Sequence, residues 1–515
     1  RRWRGRAAEG ARAMETTERE RRLARWWVLI FVAGVAALMA LVLGRLVFLH
    51  LLEGPSEDAP NYYASRHLLG LRGRILDRNG VVLAESLPGR VIYIDQKDPK
   101  LESPAVDRAS LPLDLARLLG LPEERLLDAF NGYHTTALGR RRTTIFVAEV
   151  ADERILGELE RRSSPSVRTN RIAGVNWSER RSVRAHPNGA RLAHVLGFIN
   201  REEAGVYGVE QRFDKELQGR DGLIRTMVDA RRRELRGRRL EETPPVHGND
   251  VYLTIDNNIQ YIIEQALAEA IRRFQADSGI ILVQDVRTGE MLGMATLPSF
   301  DPQEYSRVGE ERWKNIAISR NYEPGSVMKA VTVAMALQYG VISASETFDV
   351  GKAGVWFYGG RPLRDHAYGT LTLRDVLARS SNIATAQIGL RMAEPAPGQG
   401  MPHANERLWR AFRAMGFGER TGIELIGEEA GILHPYERWN KLSPTRMPIG
   451  QGIAVTAIQL CNAFATFGNG GVRMRPTILK EIRSHEGALI RANAPEALGR
   501  PISPEVAARM LGLLQ

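Results

Sequence analysis

The sequence contains a single cysteine, Cys461, among its 515 residues, so no disulfide bond can form within the chain. Cys461 lies in an apolar stretch typical of a buried helix, which predicts an unreactive thiol that only packs. The sequence also lacks clusters of His, Cys, Asp and Glu at metal-ligand spacing, glycine-rich phosphate loops and dinucleotide-binding fingerprints. These absences predict a protein without a metal ion or cofactor, stabilised by its hydrophobic cores rather than by cross-links.

Arginine is abundant, and the formal net charge is +11. The basic residues are spread over the whole length, without a basic stripe or interleaved aromatic residues, so the charge does not predict a nucleic-acid partner. With 43% hydrophobic residues the chain can form sizeable cores, and its length predicts two or three domains.

The N-terminal region predicts a membrane anchor. Residues 1–25 hold nine arginines against four glutamates, no charge occurs from Trp26 to Leu43, and the apolar run resumes after Arg45. We predict a transmembrane helix at 26–52, which is long enough to cross a bilayer. The basic tail then lies in the cytoplasm, by the positive-inside rule. A cleavable signal peptide is the alternative, but the apolar run is too long and no small-residue cleavage site follows.

Residues 60–248 mix short strands, helical stretches and charged loops. Near the start of this region Asn79-Gly80 separates two apolar runs, a pattern typical of a β-hairpin with a type I′ turn. The region contains no obvious pair of nucleophile and base. We therefore interpret it as a scaffold or docking domain.

Residues 249–515 predict a second, α+β domain. A strand at 251–255 is followed by Asp256, a helix N-cap, and by a helix at 257–274. Two further strand-like runs flank a hairpin turn at 287–290. Further helices are predicted at 326–339, 373–378, 383–392 and 457–467. A hairpin followed by a run of helices indicates α+β rather than alternating parallel units.

The heptapeptide EPGSVMK, residues 323–329, predicts a nucleophile beside a base. Ser326 starts an apolar helix and Lys329 follows one turn later, so that both side chains share a helix face. Serine becomes a good nucleophile only when an adjacent base takes its proton, and a Ser-x-x-Lys pair is one solution. The spacing alone is weak evidence, because it arises readily by chance.

A second triplet, Ser380-Ser381-Asn382, lies between two predicted helices. Serine and asparagine at such a place are ordinarily helix caps. About fifty residues after a Ser-x-x-Lys pair, however, a Ser-x-Asn triplet is typical of the second wall of the active site in penicillin-recognising serine enzymes.

These two motifs, together with several other segments that follow one another in the same order, resemble the class B penicillin-binding proteins. The resemblance is specifically to the septal cell-division branch of FtsI-like peptidoglycan D,D-transpeptidases. Asparagine at the third position of the triplet favours the septal branch. The segments that carry the resemblance are GRILDRNGVVLAES, HVLGFIN, GVEQRFDKELQG, VYLTIDNNIQ, DVRTGEMLGMATLPSFDP, EPGSVMK, SSN and IGQGIAVTAIQLCNAFATFGNGG.

The resemblance implies a mixed α/β pedestal domain at 60–248. It also implies a transpeptidase domain at 249–515, built from an antiparallel sheet flanked by helices. Ser326 would attack the carbonyl between the terminal D-alanines of a stem peptide, with Lys329 as general base and the Ser326 N–H as an oxyanion donor. Ser380 would relay a proton to the leaving amine, and Asn382 would hold the acyl side chain and orient Lys329. Stem peptides and β-lactams are the implied ligands.

Two features depart from the family pattern. His186-Pro187 stands where the family usually has Tyr-Pro, and no Lys-Thr-Gly occurs as a third motif. Lys352-Ala353-Gly354 falls between the first two motifs, where the family never places the third. We therefore expect the sequence to be truncated at its C-terminus before the last strands of the sheet, and Met14 to be a candidate natural start.

The resemblance further implies a single-pass protein of the bacterial cytoplasmic membrane at the division septum, with its catalytic domain outside. Its implied partners are the membrane, a SEDS-type glycosyltransferase and other divisome proteins. Two alternatives share the fold. A β-lactam sensor or β-lactamase would not normally carry this anchor and pedestal, and a non-catalytic divisome scaffold should have lost Ser326 or Lys329.

Overall fold

The structure is a computed structural model that describes residues 3–48, 63–132, 134–135, 141–164, 166–167, 171–178, 181–200, 202–229 and 233–515. Its α-helices are α1 (Trp3–Val47), α2 (Leu111–Leu119), α3 (Glu123–Asn131), α4 (Glu153–Ser163), α5 (Ala193–Leu196), α6 (Gly208–Arg212), α7 (Asp214–Leu217), α8 (Asn257–Phe274), α9 (Ile316–Ser319), α10 (Met328–Gln338), α11 (Leu373–Ala378), α12 (Asn382–Ala393), α13 (Glu406–Ala414), α14 (Ser443–Arg446), α15 (Ala457–Gly468) and α16 (Pro504–Leu514).

The strands are short, apart from β3 and β12. They are β1 (Tyr63–Leu68), β2 (Ile75–Leu76), β3 (Val82–Asp95), β4 (His134–Thr135), β5 (Arg141–Arg142), β6 (Thr144–Val150), β7 (Val175–Trp177), β8 (Arg181–Ala185), β9 (Phe198–Ile199), β10 (Gly205–Val206), β11 (Gly222–Val228), β12 (Glu234–Thr243), β13 (Asp250–Leu253), β14 (Gly279–Gln284), β15 (Met291–Leu297), β16 (Thr347–Asp349), β17 (Val355–Tyr358), β18 (Arg361–Arg364), β19 (Thr370–Thr372), β20 (Arg473–Met474), β21 (Leu479–Arg483), β22 (Leu489–Ala492) and β23 (Ala497–Gly499).

The chain divides into two compact units, of which the first comprises residues 1–66 and 224–242. Within it, the segment Arg21–Val47 of α1 is long and apolar enough to cross a membrane, with a mean hydropathy of 2.6. This helix is a possible single-pass anchor, as the sequence predicts. The predicted end of the span at Leu52 lies outside the described residues.

The second unit, residues 67–223 and 243–515, is built on an eight-stranded sheet. Its strand order is β22-β21-β13-β2-β3-β6, and β7 and β8 also pair with β3. Val251 of β13 pairs in parallel with Ile75 of β2, so the sheet runs without interruption past the predicted domain boundary at 248. Both regions therefore contribute strands to one sheet.

The predicted hairpin after β2 is confirmed, but its predicted turn type is wrong. A type I′ turn needs positive φ at both central residues, whereas only Gly80 has it, at 88°. The carboxylate of Asp77 instead accepts from the N–H groups of Asn79 and Val81, each at 2.8 Å, and organises a longer loop. Its other oxygen accepts from the Asn257 N–H, which joins the hairpin to the start of α8.

The predicted elements at the start of the α+β region are confirmed. Asp256 caps α8 by accepting from the N–H groups of Asn258 and Ile259. β14 and β15 form an antiparallel hairpin, with Ile281 opposite Ala295. α8 lies across this hairpin and buries its own apolar side chains against it.

The helices that follow pack around α10, whose residues from Met328 to Ala336 are all buried. A helix that is apolar on every side belongs in the middle of a core. The predicted helices at 373–378, 383–392 and 457–467 correspond to α11, α12 and α15, and they surround α10 together with α13 and α16, which the sequence did not predict.

Candidate active site

Ser326 lies at the entrance to α10. Gly325 has a positive φ of 59° and opens a 3₁₀ turn, Gly325–Val327, that leads directly into the α-helix. This geometry leaves Ser326 exposed while the next residue but one, Met328, is fully buried. The start of a helix carries a partial positive charge, which favours a negative charge that develops near Ser326.

Lys329 is buried, with 2% of its surface exposed. Its Nζ donates to the Ser380 carbonyl oxygen at 2.5 Å and to Ser380 Oγ at 2.8 Å. Burial lowers the pKa of Lys329 to about 8, and the negative charge of Asp365 opposes part of that shift. At this pKa an appreciable fraction of the amine is neutral near pH 7 and can accept a proton, whereas an ordinary exposed lysine is almost wholly protonated there.

The structure brings the two predicted motifs together through Lys329 and Ser380. Ser380 lies in the left-handed region, at a φ of 54°. Its N–H donates to Leu377 O and the Ser381 N–H donates to Val376 O, which is the Schellman pattern that ends α11. Glycine usually occupies this position, because a Cβ is strained there. A serine at this position is therefore strained, and its hydroxyl makes a contact with Lys329 that a glycine could not make.

Asn382 is the first residue of α12, and its Nδ2 donates to the Arg364 carbonyl oxygen at 3.0 Å. Within the described residues, no hydrogen bond joins Asn382 to Lys329, and none joins Ser326 to Lys329. The structure thus joins the two motifs through the contact of Lys329 with Ser380, while Ser326 and Asn382 lie three and two residues from these two along the chain. The individual roles predicted for them stay predictions.

Asp365 is a residue of the site that sequence reasoning missed. Its Oδ2 accepts from Ser381 Oγ at 2.5 Å and from the Ile383 N–H at 2.9 Å, while its Oδ1 accepts from the N–H groups of His366 and Ala367. The carboxylate is buried and fixes the Ser-Ser-Asn loop to the segment after β18. The sequence offers only an acidic residue sixteen positions before Ser381, and this separation along the chain hid the contact.

The segment Gly450–Thr456 lies against the turn that carries Ser326. The Gly325 N–H donates to the Gly450 carbonyl oxygen at 3.1 Å, and the Gly452 N–H donates to Glu323 Oε1 at 2.8 Å. Thr456 forms a capping box with Gln459 at the start of α15. These contacts hold the turn that presents Ser326.

Two other predicted features fall outside the site chemistry. Lys352-Ala353-Gly354 lies in a bend between β16 and β17. Cys461 is partly buried in α15, where its Sγ donates to Gln284 Oε1 at 3.7 Å, and burial raises the pKa of its thiol to about 11. A thiol with so high a pKa is a poor nucleophile at neutral pH, in line with the prediction of an unreactive thiol.

Two family models match the chain in succession. Residues 68–253 match a penicillin-binding protein dimerisation domain, and residues 279–515 match a penicillin-binding protein transpeptidase domain. Both matches follow the order of the two regions predicted from the sequence.

Curated relatives of the chain include stage V sporulation protein D of Bacillus subtilis, 30% identical over 84% of this chain and 63% of the relative. The peptidoglycan D,D-transpeptidase FtsI of Escherichia coli is 28% identical over 88% of this chain and 73% of the relative. The chain thus spans 63% to 73% of the length of these two relatives. Among solved structures, penicillin-binding protein 3 of Mycobacterium tuberculosis complexed with aztreonam is similar, with a TM-score of 0.60 and 25% identity over 87% of this chain and 75% of that chain.

Proposed function

Because the chain belongs to the class B penicillin-binding proteins of the septal branch, we propose that the protein is a membrane-anchored serine D,D-transpeptidase. Its substrates are the stem peptides of peptidoglycan, which it cross-links during septal cell-wall synthesis, and β-lactams inhibit it. The observation that carries the proposal is the buried amine of Lys329, which has a pKa near 8 and lies one turn after an exposed serine.

In the first half of the reaction Ser326 Oγ attacks the carbonyl carbon between the two terminal D-alanines. Lys329 takes the hydroxyl proton, and the N–H groups at the start of α10 stabilise the oxyanion. The 2.8 Å hydrogen bond between Lys329 Nζ and Ser380 Oγ supports a relay of that proton to the departing D-alanine amine. The C–N bond then breaks and leaves an acyl ester on Ser326.

In the second half an amine from a neighbouring stem peptide attacks the ester and gives up a proton to Lys329 through Ser380. The C–O bond to Ser326 breaks as the amide cross-link forms, and Lys329 returns that proton to Ser326 Oγ. The acyl chain lies along the side of the site that Asn382 forms. A β-lactam enters the first half in place of the peptide, and its opened ring stays attached to the serine oxygen.

Labelling with a fluorescent penicillin tests this assignment in the full-length protein. We expect Ser326→Ala to abolish labelling, whereas Ser343→Ala, at an exposed serine in the loop after α10, should label like the parent. Persistent labelling of the Ser326→Ala protein would show that another residue is acylated.

We also infer that the 515-residue chain alone is acylated slowly or not at all, because its sequence contains no Lys-Thr-Gly triplet to supply the remaining wall of the site. A comparison of labelling rates between this chain and a longer one that carries such a triplet checks the inference. Equal rates would contradict it.

The proposed topology is a cytoplasmic N-terminal tail, one membrane span and an external catalytic domain. The basic residues before the span support this arrangement, and so does the apolar segment Arg21–Val47, the one candidate span in the part of the chain that the structure describes. A SEDS-type glycosyltransferase and other divisome proteins are the proposed partners of the span and the pedestal. Single cysteines introduced before or after the span test this topology in intact cells. A membrane-impermeant thiol reagent should label those after the span and not those before it.

A further inference from the structure

A cavity of about 220 Å³ lies between the pedestal region and the transpeptidase region, away from Ser326. Its pedestal side includes the strand β8, and its other side is the 3₁₀ helix Pro302–Arg307 with its N-cap Asp301. A single water needs only roughly 10–15 Å³ of such volume, so the cavity has room for a small organic molecule.

Three side chains line this cavity, two from β8 and one from the residue directly after it. Ser182, Arg184 and His186 alternate along the chain, so that all three point to the same side of the strand. We call these three residues the donor strip. Each is more than nine-tenths buried, with exposures of 4%, 4% and 7%.

Each member of the donor strip has a buried polar atom without a hydrogen-bond partner among the described residues: Ser182 Oγ, Arg184 Nη2, and both ring nitrogens of His186. Buried polar groups in folded proteins are nearly always paired, so four unpaired atoms beside one cavity point to an occupant. The rest of the Arg184 guanidinium is engaged with Glu210 and Gly73, which fixes the position of its free nitrogen.

The donor strip suits a carboxylate. A guanidinium N–H₂, a hydroxyl and a neutral imidazole supply donors from one direction, and hydrogen bonds that involve a charged group are the strong ones. Burial and the neighbouring Arg184 charge keep His186 uncharged at neutral pH, since its pKa falls to about 4.

The opposite side of the cavity is acidic. Asp301 lies close enough to His186 to influence its charge, and Glu304 also lines the space, although Arg125 pairs with it. Acidic side chains here disfavour a multiply charged anion such as phosphate and favour a positive group on the ligand.

We propose that this cavity binds a small zwitterion of the size and charge of an α-amino acid. Its carboxylate is held by the donor strip, and its ammonium group faces Asp301. Such a site lies where the two regions of the second unit meet, and an occupant there contacts both of them.

Isothermal titration of the whole chain in detergent tests the proposal with four probes: alanine of either configuration, acetate, alaninamide and inorganic phosphate. Alanine should bind saturably, and acetate and alaninamide should each bind at least about tenfold more weakly, because each lacks one charged group. No saturable binding of alanine, equal binding of acetate or alaninamide, or tighter binding of phosphate would each overturn the proposal.

Two variants locate the site. Ser182→Ala removes one donor and should weaken alanine binding by about tenfold. The apo protein should fold normally, because the hydroxyl has no partner to lose. Should Ser182→Ala fail to fold, His186→Phe provides the same test. Ser299→Ala, a partly exposed serine outside the cavity, is the matched control and should bind like the parent. An unchanged affinity in folded Ser182→Ala or His186→Phe protein would place the bound alanine elsewhere and refute the proposal.

Discussion

The hydroxyl of Ser381 donates to Oδ2 of Asp365 at 2.5 Å, in a buried contact between the start of α12 and the segment after β18. Ser381 is wholly buried and also caps α12, because its Oγ accepts from the Ala384 N–H. This pair holds the middle residue of the Ser-Ser-Asn triplet in the core. Its two neighbours, Ser380 and Asn382, are thereby fixed between the end of α11 and the first turn of α12.

Replacement of Asp365 by asparagine tests this relationship. Both carboxylate oxygens of Asp365 accept hydrogen bonds, and in asparagine one of them is replaced by an N–H₂ group, which cannot accept. We therefore expect the free energy of unfolding to fall by about 1–3 kcal/mol. Denaturant unfolding measures it. Asp349→Asn is the matched control, because Asp349 also accepts from a backbone N–H but is exposed, and it should change stability by less than about 0.5 kcal/mol.

Asp365→Asn should also alter catalysis through Lys329. The Asp365 carboxylate raises the pKa of that lysine against the effect of burial, so its neutralisation lets the pKa fall further. The rate of acylation by a fluorescent penicillin, measured against pH, should then reach half its maximum at a lower pH than in the parent. An unshifted profile would mean that Asp365 acts on the loop alone.

Lys329 itself should control the pH dependence of acylation. Its pKa is lowered to about 8, so the reactive neutral amine increases as the pH rises through 8, and the acylation rate should rise with it. Lys329→Arg keeps the charge but cannot lose its proton at these pH values, and should abolish acylation at every pH. Lys441→Arg, an exposed lysine, is the control.

Lys329 also makes the free energy of unfolding depend on pH. Its pKa is lower in the folded protein than the ordinary value of 10.5, so between about pH 8 and 10.5 the unfolded chain binds more protons. The free energy of unfolding contributed by Lys329 therefore rises with pH across that window. Lys329→Met should lose this slope, as measured by the difference between parent and variant in urea unfolding at pH 7.5 and 10. Parallel slopes would contradict the lowered pKa.

Two substitutions of Ser380 separate the effect of backbone strain on stability from the effect of its hydroxyl on acylation. Ser380→Gly removes a Cβ from a left-handed position, whereas Ser380→Ala keeps the strain and removes only the hydroxyl. We expect the glycine variant to be more stable than the alanine variant by about 1–2 kcal/mol. Both should acylate much more slowly than the parent, because both lose the hydroxyl partner of Lys329 Nζ and keep only the Ser380 carbonyl oxygen. A glycine variant with full activity would rule out a role for the Ser380 hydroxyl.

Sequence patterns predicted those features whose causes are local. The helix after Asp256 has the predicted bounds, because a side-chain cap fixes its start and the left-handed Gln275 ends it. The hairpin at Gly80 was predicted from the same kind of signal. Its turn type was not predicted correctly, because the Asp77 carboxylate binds the N–H groups of Asn79 and Val81 and so holds the loop in another conformation.

The features that sequence patterns missed depend on contacts between distant residues. Asp365 meets Ser381 only after the chain has folded back on itself, and β13 pairs with β2 across about 175 residues of sequence. The Schellman end of α11 was also hidden, since a serine occupies the position where glycine would have signalled it. The Ser-x-x-Lys pair could be recognised in the sequence because only two residues separate its members, but the contact of Lys329 with Ser380 could not.

Gly450 provides a test of how strongly the neighbouring segment positions Ser326. A Cβ on Gly450 would lie 2.1 Å from the Gly325 carbonyl oxygen, and the φ of 78° is itself unfavourable for other residues. Gly450→Ala must therefore displace the turn before Ser326.

Gly427→Ala is the matched control, because Gly427 has a similar φ of 87° but no atom within 4 Å of the added Cβ. The control should lose about 1–2 kcal/mol from backbone strain and keep its acylation rate. Gly450→Ala should lose more stability and acylate more slowly by a factor of about 100, since a misplacement of about 1 Å at a nucleophile has that effect. Equal rates in the two variants would show that the contact with Gly325 does not set the position of the nucleophile.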